Sequence, residues 1–392
     1  VKAISSMKLR VSYGAVGNQS LDPYTTLGVV GNYPYIFNGA LFSGYLPGTQ
    51  LNNLNLSWET STTLNAGLDF GLFKNRVTGS VDYFNTRTTD LLTDISLSGI
   101  GGYTNTITNG GETKNHGLEL LLSGNIIRNN DFNWNVTTAY TRYRNEIVKT
   151  GVVGVDGEQK NDLGRGRYVG QPINNIRTYL FDGIFQTDDE AKNSAQGTLG
   201  GTVTPFQNPT NLVAGAIKLK DTNGDGVIND NDQVIVATDP KWFSSISTTL
   251  SYKSFDLLAD LYIVQGTMKI NPYLSSFNEG GTIQSVRNGI KVDYWTPENP
   301  SSTFPRPNYS AAPPNISVLG LRESSYVRLR TLSLGYNMEN SLIDKMKLSS
   351  LRVYITASNL FTITKYKSYS PENNPNQFPD TKSFTFGLNV GL

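Results

Sequence analysis

The chain has 392 residues, with 33 Lys and Arg against 32 Asp and Glu. That formal charge of +1, without a basic cluster, leaves no electrostatic footprint for nucleic acid. No cysteine is present, which excludes disulfides and thiolate metal sites, and no apolar run reaches the roughly 18 residues that a transmembrane helix needs.

Strands that alternate polar and apolar residues escape that last test, and about ten segments alternate with the period of two that defines a strand. In chain order the first is Lys8–Ala15, with Leu9, Val11, Tyr13 and Ala15 on one face. Leu64–Phe73 and Val77–Asn85 follow, separated only by Lys74-Asn75-Arg76, which reads as a tight hairpin. A second hairpin joins Leu118–Ile126 to Asn133–Arg142 through Arg128-Asn129-Asn130-Asp131, and a third joins Ile246–Tyr252 to Phe255–Ile263 across Lys253-Ser254. Tyr326–Tyr336 and Leu351–Leu360 come next. Ser383–Leu392 ends the chain with Phe384, Phe386, Leu388, Val390 and Leu392 against Thr385, Gly387, Asn389 and Gly391. The second face is too small and too polar for a sandwich core. An apolar outside with a wet inside predicts an all-β chain folded as a transmembrane antiparallel β-barrel. The 21 Tyr and 17 Phe supply rings for girdles at the membrane boundaries.

Tyr326–Tyr336 changes phase, since Val327 and Leu329 share one face while Leu332, Leu334 and Tyr336 take the other. A β-bulge near Arg330-Thr331 restores the register; two unrelated short strands are the alternative. Connections alternate between short turns and long loops over 17–60, 91–116, 149–241, 268–325 and 362–381, as in bacterial outer-membrane barrels. The modest connection Asn337–Ser350 is expected to hold a helical turn. By parity the strand-like Thr178–Phe185 belongs to an external loop. Such long loops suit plugged transporters of about 22 strands better than a small barrel. The N-terminus, Val1-Lys2-Ala3-Ile4, has no apolar signal region, so residues 1–392 read as the C-terminal portion of a longer barrel protein, lacking its plug.

The sharpest local motif is Asp221–Asp232, inside the long loop 149–241. Asp221, Asn223, Asp225 and Asp232 stand at loop positions that supply oxygen ligands, Val227 offers a carbonyl, Asn229 ligates through water, and Gly226 allows the sharp turn. This predicts a structural Ca²⁺ clip over residues 221–232, with a metal-free Asx/Gly turn as the alternative. Asp232 replaces the usual Glu, a shorter arm for bidentate ligation. His116, the single histidine, cannot build a multi-His zinc site and reads as a loop-rim residue at a strand entrance. Asp69, Asp82, Glu119, Asp256 and Asp260 fall on faces read as lumenal, either guiding a solute or simply meeting water. Phe73, Phe132, Trp134, Trp242, Tyr252 and Phe255 read as interfacial girdle. Tyr103, Tyr179, Phe181, Tyr273, Phe277 and Trp295 are loop aromatics that either stack on a solute or pack the loops. Gly164-Arg165-Gly166-Arg167 lacks phosphate-loop spacing, and no catalytic constellation is found.

Several phrases resemble the SusC/RagA family of TonB-dependent outer-membrane transporters. They are Val169-Gly170-Gln171-Pro172-Ile173, Phe181-Asp182-Gly183-Ile184-Phe185-Gln186, Gly215-Ala216-Ile217-Lys218 and Tyr294-Trp295-Thr296-Pro297-Glu298-Asn299-Pro300, with the strands Leu9–Gly14, Ala357–Leu360 and Phe384–Leu392. The resemblance implies a non-enzymatic barrel of about 22 strands filled by an N-terminal plug. It implies a SusD-like surface lipoprotein as partner, and TonB-ExbB-ExbD acting through the N-terminal part. The solutes are oligosaccharides or peptides, imported across the outer membrane of Bacteroidota. Leu392 departs from the aromatic residue that usually ends such barrels. The reading from another class is a calcium-stabilised cell-surface glycan-binding or adhesin β-module, whose strands need no continuous aliphatic band.

Overall fold

The computed structural model describes residues 3–19, 21–196, 212–275, 291–307, 315–339, 343–373 and 377–391; Phe277 and Leu392 lie outside them. Ten long strands carry the fold: β1 (Ile4–Asn18), β2 (Glu59–Leu72), β3 (Val77–Ser96), β4 (Asn105–Arg128), β5 (Phe132–Thr150), β6 (Trp242–Tyr252), β7 (Phe255–Gln265), β8 (Tyr326–Asn337), β9 (Ser350–Thr364) and β10 (Ser383–Gly391). Each predicted strand is among them. The chain divides into two compact units, Val1–Leu122 with Thr141–Ile173, and Ser123–Tyr140 with Asn174–Leu392.

In the first unit the strand order is β1-β2-β3-β4-β5. Leu9, Leu68 and Val81 share one row, and Val11, Ala66 and Tyr83 another. The opposite face carries hydroxyl pairs, Ser61 with Thr88 and Thr63 with Thr86, each at 2.9 Å, which tie neighbouring strands where water can reach them. The β2–β3 turn runs through Phe73, Lys74 and Asn75, all at positive φ. Gln50–Leu51 pairs in parallel with Asn105–Thr106, strapping the first long loop onto β4.

Two expectations are corrected here. The connection read as 91–116 is mostly strand, because β3 runs on to Ser96 and β4 starts at Asn105. His116 is therefore a mid-strand residue rather than a loop-rim one. Beyond the lipid both faces of a strand meet polar surroundings, so alternation fades although the ladder of hydrogen bonds continues.

In the second unit the order is β4-β5-β6-β7-β8-β9-β10. Leu250, Leu257, Leu334, Ile355 and Phe386 fall in one row across five strands, and Tyr252, Phe255, Tyr336, Val353 and Leu388 in the next. The register shifts between Leu329 and Thr331 against both neighbours, so the phase change is the expected bulge, with Arg330 as the extra residue. On the partner strand Asn359 takes φ 52 within the same irregularity. A 3-10 turn, Asp344–Met346, fills the connection before β9.

The dry core of this unit is not under the sheet. It is built by loop residues, among them Tyr179, Ile184, Ile217, Leu219, Ile228, Trp295, Phe304 and Leu319. Leu68, Val81, Leu120, Leu261 and Phe386 are all half-buried or exposed; Phe386 leaves 78% of its surface open. A soluble sandwich buries one face of each sheet. Here the aliphatic face is left for lipid. Aromatic pairs bound that face at both ends: Tyr140 with Trp242 at 5.6 Å, Phe132 with Tyr252 at 6.3 Å and Phe255 with Tyr336 at 4.8 Å. From Trp242 to Tyr252 the strand rises about 33 Å at about 3.3 Å per residue. A tilt of about 40° reduces this to about 25 Å, the height of an outer-membrane apolar band.

Candidate functional site: the lumenal wall and the loop layer

The polar face of the sheet is a wall of paired charges. Arg10 on β1 reaches over Gly67 to Asp69 on β2, with both contacts at 2.8 Å, and to Asp82 on β3 at 3.0 Å. A side chain at position 67 would press within 2.8 Å of that guanidinium, so glycine is what lets Arg10 cross. In the second unit Arg352 crosses Gly335 in the same way to meet both oxygens of Asp256, at 3.0 and 2.5 Å. Exposed pairs of this kind add about 0–1 kcal/mol each. Their main effect is to remove bare charge from the wall. Of the predicted lumenal acids, Asp69, Asp82 and Asp256 are thus paired. Asp260 lies in register with Ser247 and Thr331, and Glu119 is exposed.

One charge cluster lay beyond the reach of sequence reading. Glu112 on β4 is buried and accepts from Arg87 Nε at 2.5 Å and Lys149 Nζ at 2.9 Å. It sits in the strand extension where alternation has lapsed, and no spacing links residues 87, 112 and 149.

The loop layer of the second unit is a folded body. Asn175–Thr178 pairs with Val234–Ala237, and Phe181–Ile184 with Ile217–Leu219. Thr178–Phe185 therefore stays out of the main sheet, as parity required. Trp295 is buried and donates its indole N–H to Gln186 Oε1 at 3.1 Å. Gly215, at φ 81, packs so closely on the Trp295 ring and on Arg306 that a side chain there has no room. Of the loop aromatics, Tyr179, Phe181 and Trp295 belong to this core. Tyr273 instead meets Tyr369 edge-on at 5.4 Å, and Tyr103 is half-buried.

The 221–232 loop folds as a chain of side-chain-capped turns. Asp221 accepts from the backbone N–H of Gly224 at 2.6 Å and of Gly226 at 2.8 Å, and these N–H groups, that of Gly226 foremost, hold its carboxyl below the usual range. Asn223 caps Asp225, Asp225 caps Val227, and Asn229 caps Asn231. Asp232 is fully buried and accepts from Thr222 and Asn229 at 2.9 and 2.8 Å. Gly226 takes φ 79 at the predicted turn. The donors are all oxygen, which fits a hard cation, and an oxygen that accepts one N–H keeps a second lone pair. Among the described residues no three acidic or histidine side chains are gathered closely enough to hold a metal.

The last long loop is strapped to β8. Arg328 is buried, donates to Glu372 at 2.6 Å and to Thr362 at 3.0 Å, and pairs with Asp380. Lys269 donates to the carbonyls of Pro371 at 2.9 Å and Glu372 at 2.5 Å, and burial pushes its amine down. Asn271, also buried, donates to the carbonyl of Lys367 at 2.8 Å.

Comparison with known proteins agrees with this architecture. The family profile described as TonB dependent receptor-like, beta-barrel matches residues 2–360. TonB-dependent receptor P26 of Formosa agariphila is 30% identical, with 99% of this chain and 40% of that protein covered. TonB-dependent receptor SusC of Bacteroides thetaiotaomicron is 27% identical over 100% of this chain and 38% of its own length. A solved structure of the RagAB peptide transporter superposes with a TM-score of 0.78 at 26% identity, covering 100% of this chain and 41% of that one. The chain thus spans about two fifths of the relatives it matches.

Proposed function

The chain belongs to the TonB-dependent receptor-like β-barrel family, an outer-membrane family without enzymatic chemistry, and we propose that it forms wall and loop layer of a TonB-driven importer of oligosaccharides or peptides. The observation that carries this reading is the two-faced sheet, with aliphatic rows turned outward, paired charges turned inward, and a dry core confined to the loops. Transport on such a scaffold is binding and gated passage. The loops hold the solute, and segments outside these residues supply the plug and the TonB contact. Likeness to SusC and to RagAB supports a SusD-like lipoprotein partner. A surface for it is at hand in the nested hairpin of Val30–Asn32 with Tyr45–Pro47 and Tyr35–Phe37 with Ala40–Phe42, where Ile36, Phe37, Leu41 and Tyr45 are exposed.

Calcium belongs to the same proposal. The free lone pairs of Asp221, Asn223, Asp225, Asn229 and Asp232, with the Val227 carbonyl, would hold a Ca²⁺ ion that clips the loop and takes no part in transport. The test of function follows uptake of a labelled oligosaccharide and a labelled peptide by cells carrying the full-length protein, with and without TonB. Uptake of either should vanish without TonB. Uptake indifferent to TonB overturns the reading.

A further inference from the structure

Where β8 leaves the loop layer, two arginines converge on one carboxylate. The Arg328 side chain is 5% exposed and donates from Nη1 to Glu372 Oε2 at 2.6 Å. Arg330, the extra residue of the bulge, brings Nη2 to 3.9 Å from the other oxygen, Oε1. Each guanidinium is backed by a ring, Arg328 at 5.0 Å from the centroid of Tyr326 and Arg330 at 3.4 Å from that of Tyr262. The two rings lie 6.2 Å apart. Bulge and rings thus set the forks side by side, and a stacked guanidinium keeps its N–H edge for an acceptor.

Glu372 is the loosest member of this group. Asp380 holds Arg328 from the covered side, and Thr362 accepts from its Nε at 3.0 Å, so the guanidinium stays fixed without Glu372. The Glu372 side chain leaves 42% of its surface open, and its approach to Arg330 is longer than a hydrogen bond. Its backbone is anchored separately. The N–H donates to Ser370 Oγ at 3.1 Å, and the carbonyl accepts from Lys269 Nζ at 2.5 Å. The side chain can therefore swing out while the strap stays in place. Among the described residues no second acid lies within ion-pair reach of Arg330.

We propose that Arg328 and Arg330 form a carboxylate seat on the lumenal wall, with Glu372 as an internal occupant that a carboxylate of the solute displaces. Arginine's planar fork matches a carboxylate, and the place one takes here is already marked by Glu372. A solute carboxylate meets the exposed Arg330 first and takes the Arg328 donor as Glu372 turns to water. A neutral solute gains nothing by the exchange, since it leaves Arg330 without a counter-charge. The inference rests on the transport reading for its ligand being a solute. Its test is a binding measurement that needs no transport, so the two fail separately.

Calorimetry on the purified full-length protein reads the seat, and two acidic probes separate the sources of the carboxylate. Triglutamate against amidated triglutamine tests an acidic peptide, and trigalacturonate against galactotriose an acidic sugar. At least one acidic probe should bind about tenfold or more tightly than its neutral counterpart, and that one names the source. Glu372→Gln removes the competing charge at nearly the same size. The acidic probe should then bind about threefold to tenfold more tightly, because the seat is open in a larger share of molecules. The neutral probe should not change. Arg330→Gln should weaken the acidic probe about tenfold, in the parent and in the Glu372→Gln protein alike. A purely structural ion pair would lower the melting temperature of both variants and leave binding unchanged, which overturns the proposal. Equal binding of acidic and neutral probes overturns it too. Acid-selective binding combined with TonB-independent uptake keeps the seat and removes the transport reading.

Discussion

The indole N–H of Trp295 and the side-chain oxygen of Gln186 meet at 3.1 Å, although 109 residues separate them. Each belongs to a phrase by which the sequence resembles SusC and RagA, and Gly215, from a third phrase, packs against the same ring. The shared phrases thus meet at one packing centre of the loop layer. Trp295→Ala should cost that layer about 3–5 kcal/mol, whereas Gln186→Ala, which strands the indole donor, should cost about 1–3 kcal/mol. Limited proteolysis of the full-length protein should show loops 174–241 and 291–306 cut early in Trp295→Ala, with the barrel strands intact. Loops as resistant as those of the parent would refute that role for the Trp295 contacts.

Arg328 makes a different kind of contact, a buried cation with two acids from one loop. Removing a partner leaves charge in a poorly hydrated place, at about 3–5 kcal/mol for a fully buried pair. Glu372 is substantially exposed, so it should matter less than Asp380, which is mostly covered. Asp380→Asn should raise amide hydrogen exchange across 366–373 several-fold, and Glu372→Gln less. The reverse ranking would mean that Glu372 holds the strap.

The strands were legible because lipid imposes a period of two that survives in a single sequence. Even the bulge at Arg330 showed as a phase change between Leu329 and Leu332. The upper parts of β3, β4 and β5 were not, since Thr-rich and Gly-rich stretches such as Thr86–Thr89 and Asn109–Gly111 meet water on both sides and lose the pattern. Pairings such as Gln186 with Trp295, or Glu112 with Arg87 and Lys149, depend on loop closure in space, which no spacing encodes. Sequence reading found the 221–232 turn from its Asp, Asn and Gly positions. The capping of Asn229 by Asp232 emerged only with the backbone in place.

That turn sets up a direct test of calcium. Backbone donors already satisfy Asp221 and Asp232, so the turn should form without metal, and the ion would tighten it. Calcium at millimolar concentration should slow proteolysis within 221–232, and Asp225→Ala should abolish the effect while the turn persists. No protection in the parent removes the metal from the proposal.

Tyr366 gives a stability signature at high pH. Burial pushes its phenol up to about 12, against about 10 for an unfolded chain. The fold therefore favours the neutral form. The contribution is complete below about pH 10 and is lost as pH rises toward 12, because the unfolded chain releases its proton first. Urea titrations of parent and Tyr366→Phe protein should run parallel below about pH 10, and above it the parent should lose stability faster so that the curves separate. Parallel curves through pH 12 would show the phenol to be open to water.

The assignment of faces can be tested at one depth with two substitutions. Leu261 pairs with Ile246, and its neighbour Asp260 pairs with Ser247, so Leu261 and Ser247 lie at nearly the same height on opposite faces of the β6–β7 pair. Both stand near the midpoint between Trp242 and Tyr252. If the aliphatic face meets lipid, Leu261→Arg places a charge near the midplane and should cost about 2–4 kcal/mol. Ser247→Arg points into water beside Asp260 and should change stability by less than about 1 kcal/mol. Urea-dependent folding of the full-length protein into lipid vesicles measures both. A costly Ser247→Arg beside a silent Leu261→Arg would turn the wall inside out, with the carboxylates toward lipid and the aliphatic rows toward the pore.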